Sequence, residues 1–141
     1  MKRLFLMSLV LLCSCSSKTI QPVNELDYSI IREEDFVKWN DIFEMEESSY
    51  KVYFYSEHCG YCKQIKQDIL SYYLINMERL YFCNSDENEV VMKANDEALI
   101  GVCSIEDFFI PGTPYLVGFN NNVVSEIYKG SKQIKEYIAN H

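Results

Sequence analysis

The sequence has no excess of positive charge: 13 Lys and Arg stand against 21 Asp and Glu, a formal net charge of −8. That excludes recognition of nucleic acid or anionic lipid by electrostatics, since both require a cationic surface facing phosphates. Nor does it contain an apolar run long enough to cross a bilayer. The run Leu4 to Leu12 is about nine residues, and a spanning helix needs about twenty. Closely spaced thiols are also scarce beyond the N-terminal segment. Cys59 and Cys62 have two residues between them, whereas Cys83 and Cys103 stand 20 positions apart. A four-thiolate zinc site is built from two close pairs, so no metal is expected. Apolar content is not lacking. At 48% hydrophobic and 14% aromatic, 141 residues can pack one domain around a core and are not a disordered chain.

The chemistry concentrates at Cys59-Gly60-Tyr61-Cys62. The apolar, β-branched and aromatic run Lys51 to Tyr55 precedes it and reads as a central strand. A stretch with helical spacing follows, from Cys59 to about Asn76. Two cysteines at this spacing can close a disulfide when the residues between them form the first turn of a helix. The unpaired N–H groups and positive dipole end of that helix stabilise a thiolate on the first sulfur. Apolar positions Ile65, Ile69, Tyr72 and Tyr73 fall at three-or-four spacing from Cys62 and place it on the buried face. Cys59 is therefore expected to be the nucleophile and Cys62 the resolving thiol. Thiol–disulfide exchange needs only these two sulfurs and no cofactor.

The N-terminus reads as a targeting segment. Lys2 and Arg3 are basic, Leu4 to Leu12 apolar, and Cys13 to Ser17 small and polar. Leu12-Cys13-Ser14-Cys15 resembles the lipobox of bacterial lipoproteins, which implies a signal peptide at 1–14 and lipidation of Cys15. Loss of that segment removes two cations and no acid, taking the formal charge from −8 to −10. Attachment to a membrane would then come from acyl chains, with 15–27 as a lipidated tether and 28–141 as the folded domain. Export would place the pair where a disulfide can persist and meet those of other proteins.

Along the domain, Tyr28 to Ile31 reads as a short strand and Arg32-Glu33-Glu34-Asp35 as the acidic first turn of a helix. Phe36, Trp39 and Phe43 are its apolar face, ending near Glu46. Arg79 to Cys83 reads as a second strand with a turn at Asn84-Ser85-Asp86. Residues 87–110 suggest one or two helices. Pro111-Gly112-Thr113-Pro114 breaks the chain, and Tyr115 to Phe119 and Val123 to Tyr128 form a hairpin about Asn120-Asn121-Asn122. After Gly130, Ser131 is the expected N-cap of a last helix that packs through Ile134, Tyr137 and Ile138. Strands alternating with helices predict parallel pairing through crossovers, with the cysteine loop at a strand's carboxyl end.

These features, taken in order, resemble the thioredoxin-like thiol-disulfide oxidoreductases: the strand-to-helix Cys59-Gly60-Tyr61-Cys62, Thr113-Pro114 opening a strand, and the hairpin, Gly130 and helix at the end. The resemblance implies an α/β thioredoxin-like fold with a central mixed sheet flanked by helices. It also implies a cis peptide before Pro114, with Thr113 and Pro114 contacting substrate. The inner dipeptide and Thr113 look most like periplasmic disulfide isomerases of the DsbC type, although those carry a separate dimerisation domain that this sequence does not contain. Six positions before the first cysteine, where thioredoxin itself often has a buried aspartate, stands Tyr53. Implied partners are exported proteins bearing thiols or disulfides and a membrane redox partner, with no nucleic acid.

Two further sets of residues stay open at this level. His58 as a cation would stabilise the Cys59 thiolate, and Glu57 would do the reverse. Cys83 and Cys103 could form a second disulfide, an accessory redox pair, or two buried thiols; export favours the disulfide.

Overall fold

A computed structural model describes residues 25–76, 79–94 and 99–141. The expected signal peptide, the lipidation site Cys15 and most of the tether lie outside the described residues. Four strands and two helices follow in order: β1 (Ser49–Tyr55), α1 (Gly60–Ile75), β2 (Leu80–Asn84), β3 (Tyr115–Asn120), β4 (Val123–Lys129) and α2 (Gly130–Asn140). They form one sheet in the order β2-β1-β3-β4. β1 pairs parallel with β2, Tyr55 opposite Asn84, and antiparallel with β3. The sheet is therefore mixed, and β1 is central as its composition predicts.

Alternation along β1 sends its side chains into two cores. Tyr53 and Tyr55 join Ile65, Ile69 and Leu70 of α1 and Ile134 and Tyr137 of α2 on one face. Val52 and Phe54 join Trp39, Phe108, Val117 and Phe119 on the other. With both faces covered, the strand reads as a continuous apolar run. The hairpin between β3 and β4 turns through Asn121 and Asn122, both at positive φ (49° and 59°). Asparagine tolerates that region, and this turn twist matches the flanking strands.

The second face is covered differently from the sequence expectation. Residues 36–46 form no α-helix. They hold only a 3-10 turn, Trp39–Asp41, beside another at Glu33–Asp35. A 3-10 turn also brings residues three apart onto one side, so the aromatic spacing suits it equally well. Trp39 packs against Phe54 and Phe108 with ring centroids 5.8 and 5.3 Å apart, and Phe43 meets Phe108 and Phe119 at 5.4 and 5.2 Å. Large rings on an irregular backbone do the covering that a helix was expected to do.

Tyr28–Ile30 is likewise a 3-10 turn and not a strand. Its neighbour Leu26 bonds through both backbone groups to the Gln67 side chain at 2.8 Å, and the Tyr28 ring stacks on Tyr55 at 4.1 Å. These contacts draw the segment onto α1 and away from the sheet edge. Among the described residues, this segment pairs with β2 through an isolated parallel bridge of Phe36 to Phe82. Between β2 and β3 the described residues contain one 3-10 turn, Ile105–Asp107, and no α-helix. β3 runs antiparallel to β1, not parallel through the crossover expected. At α2, Ser131 is not the cap. The helix begins at Gly130, and the Gln133 Oε1 accepts from Lys129 N–H at 2.7 Å.

Candidate active site

β1 delivers the chain to Ser56-Glu57-His58 at its carboxyl end, and α1 starts immediately after. Cys59 occupies the N-cap of α1, so its sulfur faces the orphan N–H groups of the first turn. The Cys59 Sγ accepts from the Cys62 N–H at 3.1 Å, and its thiol points to the Thr113 carbonyl at 3.3 Å. The Thr113–Pro114 peptide is cis. Pro114 is buried, and its carbonyl accepts from Gly130 N–H at 3.0 Å, which ties this loop to the start of α2. Cys59, Cys62, Thr113 and Pro114 thus converge on one end of the sheet, although Thr113 is separated from Cys59 by 54 positions.

The two thiols differ in the way the helical periodicity predicts. Cys62 is 1% exposed and packs with Ile65 and Tyr53, while Cys59 is only partly buried. Burial alone would raise the Cys59 thiol. Hydrogen bonds from the Cys62 and Thr113 side chains, and from the backbone N–H groups of Cys62 and Tyr61, outweigh it and hold Cys59 below the ordinary thiol value. At Cys62 burial is the main influence, and the hydrogen bond to Cys59 and the Cys59 charge add to it. All three push the Cys62 thiol well up. The two thiols are shifted in opposite directions, Cys59 toward the thiolate and Cys62 toward the thiol.

His58 and Glu57 are not among the leading groups that set the Cys59 shift. Their backbone serves the site instead, through a residue that the sequence reading did not single out. The Asp86 carboxylate accepts from Ser56 Oγ and from Glu57 N–H, both at 2.8 Å, and Ser56 Oγ in turn accepts from His58 N–H at 3.1 Å. Asp86 is held below its ordinary value because these bonds, with the His58 charge, outweigh the opposing effect of burial. The clue was present in the parallel register. With Tyr55 opposite Asn84, the turn after β2 must lie against the loop after β1.

Cys83 and Cys103 are not joined. Cys83 is 0% exposed on β2, where burial pushes its thiol up to about 12, and Cys103 is exposed; both are free thiols. In this structure Cys83 is a buried thiol and Cys103 a surface thiol. The β1–β2 register puts Cys83 opposite Phe54, on the edge strand of the sheet. Among the described residues no group of three or more His, Cys, Asp and Glu stands in a metal-binding arrangement.

No family model and no curated protein matches the sequence. Solved structures do. The reduced thioredoxin pre-protein of Schistosoma mansoni aligns with 74% of this chain and 94% of its own, at 14% identity and a TM-score of 0.51. Mitochondrial thioredoxin 3 of Saccharomyces cerevisiae, in its oxidised form, aligns with 75% of this chain and 93% of its own, at 15% identity and a TM-score of 0.48. What the Schistosoma protein shares with this chain is the path of the backbone. Together with the mixed sheet and its two helices, that likeness establishes that the chain has the thioredoxin-like fold.

Proposed function

We propose that the protein is a thiol-disulfide oxidoreductase in which Cys59 forms a mixed disulfide with a substrate protein and Cys62 resolves it. The observation that carries this reading is the Cys59 sulfur at the N-cap of α1, 3.1 Å from the Cys62 N–H, with one thiol lowered and the other raised. A structural disulfide would need no such difference between its sulfurs. Thr113, at 3.3 Å from the nucleophile, is placed to meet the substrate chain beside the sulfur under attack.

The setting follows from the N-terminal pattern. We infer lipidation at Cys15, display outside the cytosol on a tether, exported proteins as substrates, and a membrane redox partner that resets the pair. The direction of electron flow depends on the potential of the pair against those partners. The reading is tested by trapping. Cys62→Ser should accumulate mixed disulfides with exported proteins on Cys59, released by dithiothreitol, and Cys59→Ala should abolish both trapping and exchange. If Cys59→Ala retains the protein's cellular function, the chain is a thioredoxin-like binding or accessory lipoprotein and not an exchange enzyme. Cys15→Ser should move the protein from the membrane to the soluble fraction and end fatty-acid labelling.

A further inference from the structure

A groove of about 530 Å³ opens beside the cysteine loop, and the exchange chemistry of the two sulfurs gives it no part. It exists because of how the N-terminal segment folds. Tyr28–Ile30 and Glu33–Asp35 are 3-10 turns, and the segment joins β2 through the isolated Phe36 to Phe82 bridge. Tyr28 and Phe36 line the groove from that segment, and Ser56 and Glu57 line it from the loop after β1. Lys63, one helical turn beyond Cys59, borders it on α1, and its N–H donates to the Cys59 carbonyl at 3.1 Å. The strand order puts the groove on the β2 side of β1 and the Thr113 loop, which leads into β3, on the other. Cys59 stands between the two.

Three features of the lining are unmatched within the chain. Phe36 is 41% exposed, a large ring left facing water. Asn84, which also lines the groove, is 5% exposed, yet only its side-chain oxygen is used, accepting from the Asp86 N–H at 3.0 Å. Its amide nitrogen donates to nothing among the described residues. Buried polar groups are ordinarily bonded, so a donor left open in a groove wall suits a ligand acceptor such as a peptide carbonyl. Of the charged groups, Lys66 is taken by Asp27 and by the Tyr28 ring at 4.9 Å. Glu57, Glu87 and Lys63 have no side-chain hydrogen bond or ion pair among the described residues, which leaves two carboxylates to one ammonium. An exposed ring beside free carboxylates is a setting that holds a guanidinium, which stacks on the one and pairs with the other. The formal net charge of −8 adds a field of the same sign.

Resting on the reading of Cys59 and Cys62 as an exchange pair, we propose that this groove is a specificity site for the substrate polypeptide. It takes an arginine that lies within a few residues of the cysteine held on Cys59. The guanidinium stacks on Phe36 and pairs with Glu57 and Glu87, and a carbonyl of the same segment accepts from Asn84. Thr113 meets the substrate chain on one side of the sulfur, and the groove meets it on the other. Preferred substrates are then basic around the reactive cysteine.

The test uses the full-length chain in detergent, with Cys13, Cys15, Cys62 and Cys103 changed to Ser, and synthetic peptides whose single cysteine is disulfide-bonded to 5-thio-2-nitrobenzoate. The Cys59 sulfur bonds to the peptide sulfur, and the coloured thiolate leaves with the electron pair and reports the rate. Arginine, leucine or glutamate is placed in turn at each of the four positions on either side of the cysteine, at low salt. At one or more positions the arginine peptide is expected to react about tenfold faster than the glutamate peptide. Glu87→Lys should reduce that ratio to about two or less, and Lys63→Glu should raise it; both positions are exposed. Glu44→Lys makes the same charge change beside the β3–β4 turn, at the opposite end of the sheet, and should leave the ratio within about twofold. Arginine and glutamate peptides reacting alike at every position, leucine outpacing arginine, or Glu44→Lys erasing the ratio as fully as Glu87→Lys, overturns the proposal while leaving the exchange pair standing. Coloured release that is absent with every peptide, or that persists after Cys59→Ala, overturns the exchange pair and this inference with it.

Discussion

At the scale of single residues, a helix terminus and a burial gradient act differently on the Cys59 and Cys62 sulfurs. Cys59 takes the orphan N–H groups, and Cys62 takes the apolar face. The pH dependence of alkylation should show this directly. With iodoacetamide and mass-spectrometric readout, Cys59 is expected to label with a midpoint below that of an ordinary thiol, and Cys62 only far above it. Thr113→Val removes one of the side chains that lower Cys59 and should move its midpoint upward. Asp86 acts one step away, by bracing the loop before Cys59. Its folded value lies below its unfolded one, so its contribution is present above the ordinary carboxylate range and is lost as pH falls through the folded value. Because Asp86 is exposed, Asp86→Asn should cost only about 0.5–1 kcal/mol at pH 7. The gap in Tm from the parent should narrow as the pH is taken down toward 3.

At the scale of elements, the helix that carries the cysteines is held at both ends. Its first turn is tied to the Thr113 loop, and its far end is tied through Tyr73 to Asp35, 1% exposed. The Asp35 carboxylate also takes Arg32 at 2.7 Å and Arg79 at 3.0 Å, which joins the N-terminal segment, α1 and the approach to β2 at one point. Asp35→Ala leaves two guanidinium groups facing each other. Both are partly exposed, which discounts the loss to about 2 kcal/mol in urea unfolding. Ile69→Ala, in the middle of the buried face of α1, should cost about 2–4 kcal/mol by the same measurement.

These elements also show what the sequence made legible. β1, α1 and the β3–β4 hairpin could be read because their signals are local: an apolar run, a three-or-four spacing, an asparagine turn. The segments 28–46 and 87–110 could not, because their conformation is set by distant partners. Trp39 is held by Phe54 and Phe108, and Tyr28 by Tyr55, and no window of sequence around either residue contains those rings. Asp35 looked like a helix-start acid until Arg79 closed on it from 44 positions away. In the site, the cysteine pair and Thr113-Pro114 were legible as spacing and dipeptide. Asp86 was not, because its part depends on the β1–β2 register.

At the scale of the whole molecule, both faces of a four-stranded sheet are covered, one by two helices and the other by aromatic side chains on irregular backbone. This arrangement places the candidate site at one end of the sheet. There the β1 loop, the N-terminus of α1, the turn after β2 and the cis-proline loop meet. The central claim is that Cys59 and Cys62 cycle between dithiol and disulfide. The measurement that tests it most directly is a redox titration of the full-length protein against glutathione and dithiothreitol buffers, with the Cys59–Cys62 bond read by mass spectrometry after acid quenching. The account predicts a reversible two-electron transition with a midpoint between about −270 and −120 mV. A pair that stays reduced throughout, or one that opens only below about −300 mV as structural disulfides do, would contradict it.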